Sequence, residues 1–254
     1  MKIYDVLIKN GTLIDPGNNI NSKMDVAISG SKIAKISKSI DEKRSKSIID
    51  AKNLIICPGL IDLHAHCFGY WNSIFPDEMC IPYGTTTILD AGGSGWKNFD
   101  IMKENIIRKS ITRVFALLNI VGSGMIMDGE QNVSDMDSEA TAEKIKERKD
   151  MIAGVKVAHF EANSWEAIKR GKKAAEISET FMMVDQNPIK GRNMKELLDS
   201  YMTSGDILTH VYAWGKPILD SNGKVYDYFY EARKKGILFD LGHGAGSFSF
   251  SMAK

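Results

Sequence analysis

Cysteine is scarce: Cys57, Cys67 and Cys80 are the three in 254 residues. An odd number without framework spacing excludes a disulfide-stapled scaffold and predicts a reducing compartment. A dominant sign of charge is missing as well. Lys and Arg number 33 against 32 Asp and Glu, for a formal net charge of +1. Such a balance gives no electrostatic pull toward nucleic acid or an anionic membrane. The Lys-rich stretch from Lys35 to Lys46, KISKSIDEKRSK, is broken by acids and serines and reads as a solvated face. No apolar run reaches the roughly 20 residues of a membrane span. The opening MKIYDVLIKNGTLID lacks the long apolar core of a secretory signal, so the expected location is the cytoplasm. There is no phosphate-binding loop, no dinucleotide glycine fingerprint, no short internal repeat and no low-complexity tract.

What is present divides near residue 57. Residues 1–57 read as short strands and turns, rich in Ile and Val, and form the N-terminal part of a small β-sandwich. YDVLIKNGTLID places two apolar runs around Asn10-Gly11, which predicts a hairpin. From Pro58 to Lys254 short apolar runs alternate with helix-period segments. The runs are LIDLHAH, TTTILDAG, RVFALLNIV, AGVKVAHF, TFMMVDQ, DILTHVY and ILFDLGHG. Helices are predicted at Phe99 to Ser110, Ser138 to Ile152, Ser164 to Ser178, Met194 to Met202 and Tyr226 to Lys235. Strands and helices in unbroken alternation build a parallel sheet with helices outside, and this many predict a (β/α)8 TIM-like barrel over a doubly wound sheet. Seven strands fit into the sequence, so the barrel is expected to be incomplete at its C-terminal end.

Several runs carry an ionisable residue at their C-terminal end: His64 and His66, Asp90, Lys156 and His159, Asp185, His210, Asp240 and His243. In a barrel those ends face one mouth. Residues i and i+2 of a strand share a face, so His64 and His66 project together, about 6–7 Å apart at the backbone. Their ring nitrogens can converge on one metal ion at about 2.0–2.1 Å; the plainer reading is two histidines satisfied by hydrogen bonds in a polar mouth. Lys156, between valines in GVKVAH, either snorkels from its strand end or is neutralised by burial. A neutral amine can take up carbon dioxide as a carbamate, an anion able to bridge two metal ions. Asp185 follows four apolar residues and reads alone as a helix cap; His210 reads alone as a core histidine. Imidazole and carboxylate together suit zinc or a similar divalent ion. His159 and His243 are candidate hydrogen-bond donors to substrate or oxyanion. The glycines of AGGSG (91–95) and GHGAG (242–246) permit either close ligand approach or simple tight turns.

PGLIDLHAHCF, YGTTTILDAGGSG, GVKVAHFEANSW, MMVDQNP, GDILTHVYA and FDLGHGAGSFSF occur in this order. With them the chain resembles the amidohydrolase superfamily, in particular its dihydroorotase-like deacetylases. The resemblance implies a metal-binding barrel in which His64 and His66 hold the first metal, Lys156 is the bridging carboxylated lysine and His210 is a ligand from the sixth strand. It implies one or two divalent ions, zinc first among them, and a small-molecule substrate; a homo-oligomer is left open. Two departures stand out. Asp185 occupies the place of a fifth-strand histidine, and the aspartate expected at the end of an eighth strand as general base has no counterpart. The expected activity is metal-dependent hydrolysis of a non-peptide C–N bond, removing an acyl group from an acylated amino acid or hydroxy acid. The alternatives are a cyclic amidase of dihydroorotase or hydantoinase type, or an inactive metal-binding fragment whose unpaired sheet edges recruit a partner.

Overall fold

A computed structural model describes residues 3–126, 129–185, 192–214, 218–244 and 246–254. Gln186 to Pro188 of the MMVDQNP stretch and Ala245 of GHGAG lie outside the described residues. The chain forms two compact units, Met1–Gly59 and Leu60–Lys254.

The first unit holds seven strands: β1 (Tyr4–Lys9), β2 (Thr12–Asp15), β3 (Ile20–Lys23), β4 (Asp25–Ser29), β5 (Lys32–Ser37), β6 (Ser45–Asp50) and β7 (Ile55–Ile56). They make a four-stranded sheet in the order β5-β4-β1-β6 and a three-stranded one in the order β3-β2-β7. The hairpin predicted at Asn10-Gly11 does not form. Both edges of β1 are already taken, by β4 antiparallel and by β6 parallel, so β2 has no edge there to pair with. Asn10 instead turns the chain into the other sheet at φ 65°. Buried Asp25 holds this corner, accepting from the backbone N–H of Asn10 at 3.3 Å and of Ile40 at 2.9 Å.

The second unit contains β8 (Leu60–Ala65), β9 (Thr85–Gly95), β10 (Arg113–Asn119), β11 (Ile152–Ala158), β12 (Phe181–Asp185), β13 (Ile207–Leu208) and β14 (Leu238–Phe239). Every neighbouring pair is parallel, and each strand lies beside its predecessor. A doubly wound sheet reverses direction at a switch point; this sheet does not, and it is an incomplete (β/α) barrel. Helices are α1 (Pro76–Cys80), α2 (Phe99–Met102, continued by a π-helical turn to Ile107), α3 (Ser138–Glu147), α4 (Glu166–Ser178), α5 (Met194–Glu196, likewise continued to Tyr201), α6 (Asp227–Lys234) and α7 (Phe250–Ala253).

Strand alternation sorts the apolar residues into two layers. Ile88, Leu118, Val155, Val157, Met182 and Val184 pack outward against Phe99, Ile145, Ile168 and Leu197 of the helices. Leu89, Ala91, Leu117 and Met183 form a smaller layer inside the curl. The curl is strong. In a flat sheet six spacings of about 4.8 Å would hold the edge strands about 29 Å apart, yet His64 on β8 touches Asp240, next after β14, at 2.8 Å. Among the described residues the two edges are unpaired, and Leu60, Ile61, Leu63 and Leu238 are each more than half exposed along them. A largely apolar cleft of about 930 Å³ opens on this side, lined by Leu63, Ile207, Phe229 and Phe239 among others.

One contact sets how closely the helical layer approaches the strand that carries Lys156. A Cβ at Gly171 on α4 would overlap Val157 Cγ2 and press on Met182 Sδ at 3.2 Å. Gly171→Ala gains about 1 kcal/mol of helix propensity, but overpacking a filled core costs about 1–3 kcal/mol. The overlap is with a short branched side chain that has nowhere to turn, so the net effect is a loss. A lower urea midpoint at unchanged m-value is expected; a raised midpoint would show that the two layers are not in close contact.

Candidate active site

The mouth is built where strand parity turns polar side chains inward. His64 on β8 and His66 just past its end lie on the inner face, their ring centroids 5.4 Å apart. Lys156 on β11 is 1% exposed, its Nζ 3.6 Å from Met183 Sδ. Room for it comes from Gly92, where a Cβ would lie 2.5 Å from Lys156 Cγ and where φ is +98°. Asp185 ends β12, and His210 follows β13 in a left-handed conformation, φ 55°. His159, after β11, is left-handed too, φ 52°. Non-glycine residues in that region are uncommon and cluster at functional sites.

Two hydrogen-bonded groups hold these rings. In the first, His64 Nδ1 lies 2.8 Å from Asp240 Oδ2 and 2.9 Å from Thr209 Oγ1, and the Thr209 hydroxyl donates to Asp240 at 2.6 Å. His210 Nδ1 lies 2.7 Å from the Gly242 carbonyl, and its ring sits 4.7 Å from that of His64. In the second, His159 Nδ1 meets Glu130 Oε2 at 2.7 Å, and Asn119 donates to Glu130 Oε1 at 2.9 Å and to the Gly92 carbonyl at 3.2 Å. Asp185 Oδ2 joins the groups, 3.2 Å from both His159 Nε2 and His210 Nε2.

The electrostatics follow from burial and partners. Burial, then the nearby Lys156 charge, pushes His64 down to about 4 and His66 to about 3, so both are neutral. Burial alone would raise Asp240, but hydrogen bonds from His64 and Thr209 bring it to about 2. Hydrogen bonds to Asp185 and Glu130 raise His159 to about 10, so it is a cation. Among the described residues His64 Nε2 and His66 Nδ1 are buried with no hydrogen-bond partner. An unpaired polar atom in a dry wall is costly, and two neutral imidazole lone pairs side by side are what a divalent cation takes. Among the described residues no three His, Cys, Asp or Glu side chains already enclose a common point. The ready part is the His64–His66 pair beside Lys156.

The sequence-predicted ring is therefore gathered in part. His64, His66, Lys156, His159, Asp185, His210 and Asp240 belong to the mouth. Asp90 does not: it shares the outward parity of Ile88, is fully buried, and accepts from the N–H groups of Cys67 at 2.8 Å and Gly93 at 2.6 Å. Its role is to tie the residue after His66 to the neighbouring strand. His243 is exposed, its ring stacked on Phe248 at 4.5 Å. Three residues of the mouth escaped sequence reasoning: Asn119, Glu130 and Thr209. Asn119 had a signal, as the polar end of the run RVFALLN; Glu130 sits in a single 3-10 turn, Gly129–Gln131, too short for periodicity to mark it.

No protein-family model matches the chain. A deacetylase of Enterococcus faecalis is 29% identical over 263 residues, covering 99% of this chain and 69% of the relative. A deacetylase of Agrobacterium fabrum is 33% identical over 248 residues, covering 92% and 60%. A solved structure described as a dihydroorotase superposes with a TM-score of 0.85 at 30% identity, covering 98% of this chain and 68% of that one. The chain thus spans 60–69% of the length of these relatives. A likeness of this extent runs through both units and every strand that carries a mouth residue. On these grounds the chain belongs to the dihydroorotase-like amidohydrolase/deacetylase family.

Proposed function

We propose that this chain forms the metal-binding mouth of a hydrolase that cleaves C–N bonds, removing an acyl group from an acylated amino acid or hydroxy acid. One observation carries the reading: the unpartnered, buried ring nitrogens of His64 and His66 beside the buried Lys156. The relatives named deacetylase support the acyl-group substrate. His64 and His66 would hold one divalent ion, zinc by donor type. Lys156, as a carbamate, would supply an anionic oxygen to the same place, with Asp185 and His210 the ligands of a second ion. When bound, such an ion lowers the pKa of water and polarises a carbonyl oxygen.

The chain's own residues do the rest. His159 is a charged donor with a side chain 44% exposed, and its Nε2–H is engaged only at 3.2 Å, so it can pass a hydrogen bond to a substrate oxygen. His243, exposed at the end of the seventh barrel strand, is the second candidate donor. Hydrolysis also needs a carboxylate to carry a proton to the leaving nitrogen. Asp185 and Asp240 are each held by imidazoles and Asp90 faces the helices. That arrangement favours, as the second reading, a chain that binds metal without turnover.

Zinc loading of the purified 254-residue chain, read by elemental analysis and titration, is expected to show at least one tightly bound ion. In His66→Ala the affinity should fall by more than the roughly 10–100-fold that loss of a mere outer-shell partner costs. Equal zinc content in both proteins would refute the ligand role. Hydrolysis of N-acetyl and O-acetyl substrates against cyclic amides then separates deacetylase from cyclic amidase, and zinc without any turnover establishes the second reading.

The carbamate has its own check. Carbon-13 spectra of the zinc-loaded protein in labelled bicarbonate should show a carbamate resonance that Lys156→Met lacks, with a matching loss of zinc. Spectra without that resonance at every metal load would leave Lys156 as a buried amine.

A further inference from the structure

The end of the seventh barrel strand touches two histidines from elsewhere in the sheet, each through the same ring atom. Asp240 Oδ2 meets Nδ1 of His64, and the Gly242 carbonyl meets Nδ1 of His210. An ionised carboxylate and a carbonyl have no proton to give, so in both contacts the ring must donate. A neutral imidazole carries one N–H, and donation from Nδ1 leaves Nε2 with its lone pair. We propose that the segment Asp240–Gly242 holds a proton on Nδ1 of both His64 and His210, so that His64 presents an Nε2 lone pair to the mouth and His210 aims its Nε2 at Asp185.

The surroundings of the two Nε2 atoms agree. That of His64 is buried and has no hydrogen-bond partner. That of His210 faces Asp185 Oδ2 at 3.2 Å, so its Nδ1 is the nitrogen that the Gly242 carbonyl holds and its Nε2 the one turned to the mouth. The rings lie 4.7 Å apart. In water the Nε2–H form is the more populated imidazole tautomer, so an unguided ring would carry its proton on the wrong atom. Asp240 is thus a positioning residue, acting through His64. Thr209 assists by donating to the same carboxylate oxygen at 2.6 Å, which keeps that oxygen aimed at the ring. The metal consequence rests on the proposed function; the tautomer does not.

The test is made on the metal-free chain. Long-range proton–nitrogen-15 correlation spectra near neutral pH distinguish the two tautomers ring by ring. His64 is expected as the neutral Nδ1–H form in the native protein, and His210 with its Nδ1 protonated. Asp240→Ala should release His64 to a mixture while His210, held by a backbone carbonyl, keeps its pattern and so reports an intact mouth. Asp240→Asn retains an acceptor oxygen and should retain the His64 tautomer. A native spectrum with His64 as Nε2–H or imidazolium, or with His210 lacking a proton on Nδ1, overturns the inference, as does a His64 pattern that survives Asp240→Ala. If Asp240→Ala disturbs both rings, Asp240→Asn decides: retention of Nδ1–H on His64 supports the assignment and its loss overturns it. Zinc titration supplies the second readout, with affinity about 10–100-fold lower in Asp240→Ala. Absence of zinc binding by the native chain would sink the metal reading while the tautomer result stands.

Discussion

The hydrogen bond between His64 and Asp240 joins the first and the last strand of an open sheet, and the geometry of the mouth depends on it. Parallel strands twist by about 20–25° from one to the next, which begins the curl but does not fix where it stops. A hydrogen bond to a charged group is worth about 1.5–3 kcal/mol net. Here that interaction sits where the two edges approach, at a side chain only 7% exposed. Its consequence is positional. With β8 and β14 held within a side chain's reach, the ends of the strands between them lie on an arc, and residues from β8, β11, β12 and the turn after β13 share one space.

Within that space the polar groups divide by what fixes them. Asp240, Thr209 and the Gly242 carbonyl hold the imidazoles of His64 and His210 from one side. Asn119 and Glu130 hold His159 from the other, and Asp185 stands between. His159 and His210 both keep a left-handed backbone that costs about 1–3 kcal/mol at a non-glycine residue. The surroundings over-determine it. His159 N–H donates to the Asp185 carbonyl at 3.3 Å, and its own carbonyl accepts from Gln131 at 2.6 Å. Lys156 sits beneath this layer, and burial first, with the Lys156 charge second, lowers the pKa of both His64 and His66.

The seven barrel strands were legible because each is a short apolar run with a polar end, and their order followed from unbroken alternation with helices. Face assignment was legible only where parity was counted. His64 and His66 are two apart and necessarily share a face, whereas Asp90 looked like its strand-end neighbours although Leu89 and Ala91 on either side of it point inward. Counting outward from those two residues would have placed its carboxylate among the helices. The hairpin at Asn10-Gly11 failed for a reason outside its own residues: pairing with β4 and β6 saturates β1, and no local signal reports that. Glu130 lies in a single 3-10 turn, and its importance arises only from a fold that brings it to a histidine 29 positions later in the chain.

The protonation pattern shows what the mouth is arranged to do first. General acid–base catalysis is most effective when a group titrates near the working pH. Here Asp240 lies at about 2, His66 at about 3, His64 at about 4 and His159 at about 10. These four values leave the neutral region empty. Each group is held firmly in one state, anion, neutral base or cation, by partners placed on strand ends. Such a set does not shuttle protons; it offers fixed charges and fixed lone pairs. A cation entering among neutral imidazoles and an anion meeting the His159 imidazolium would each find the complementary charge already in place. The resting electrostatics thus suit the ion and the polar substrate of the proposed function, while a proton passed by any of these four groups requires that its fixed state first be changed.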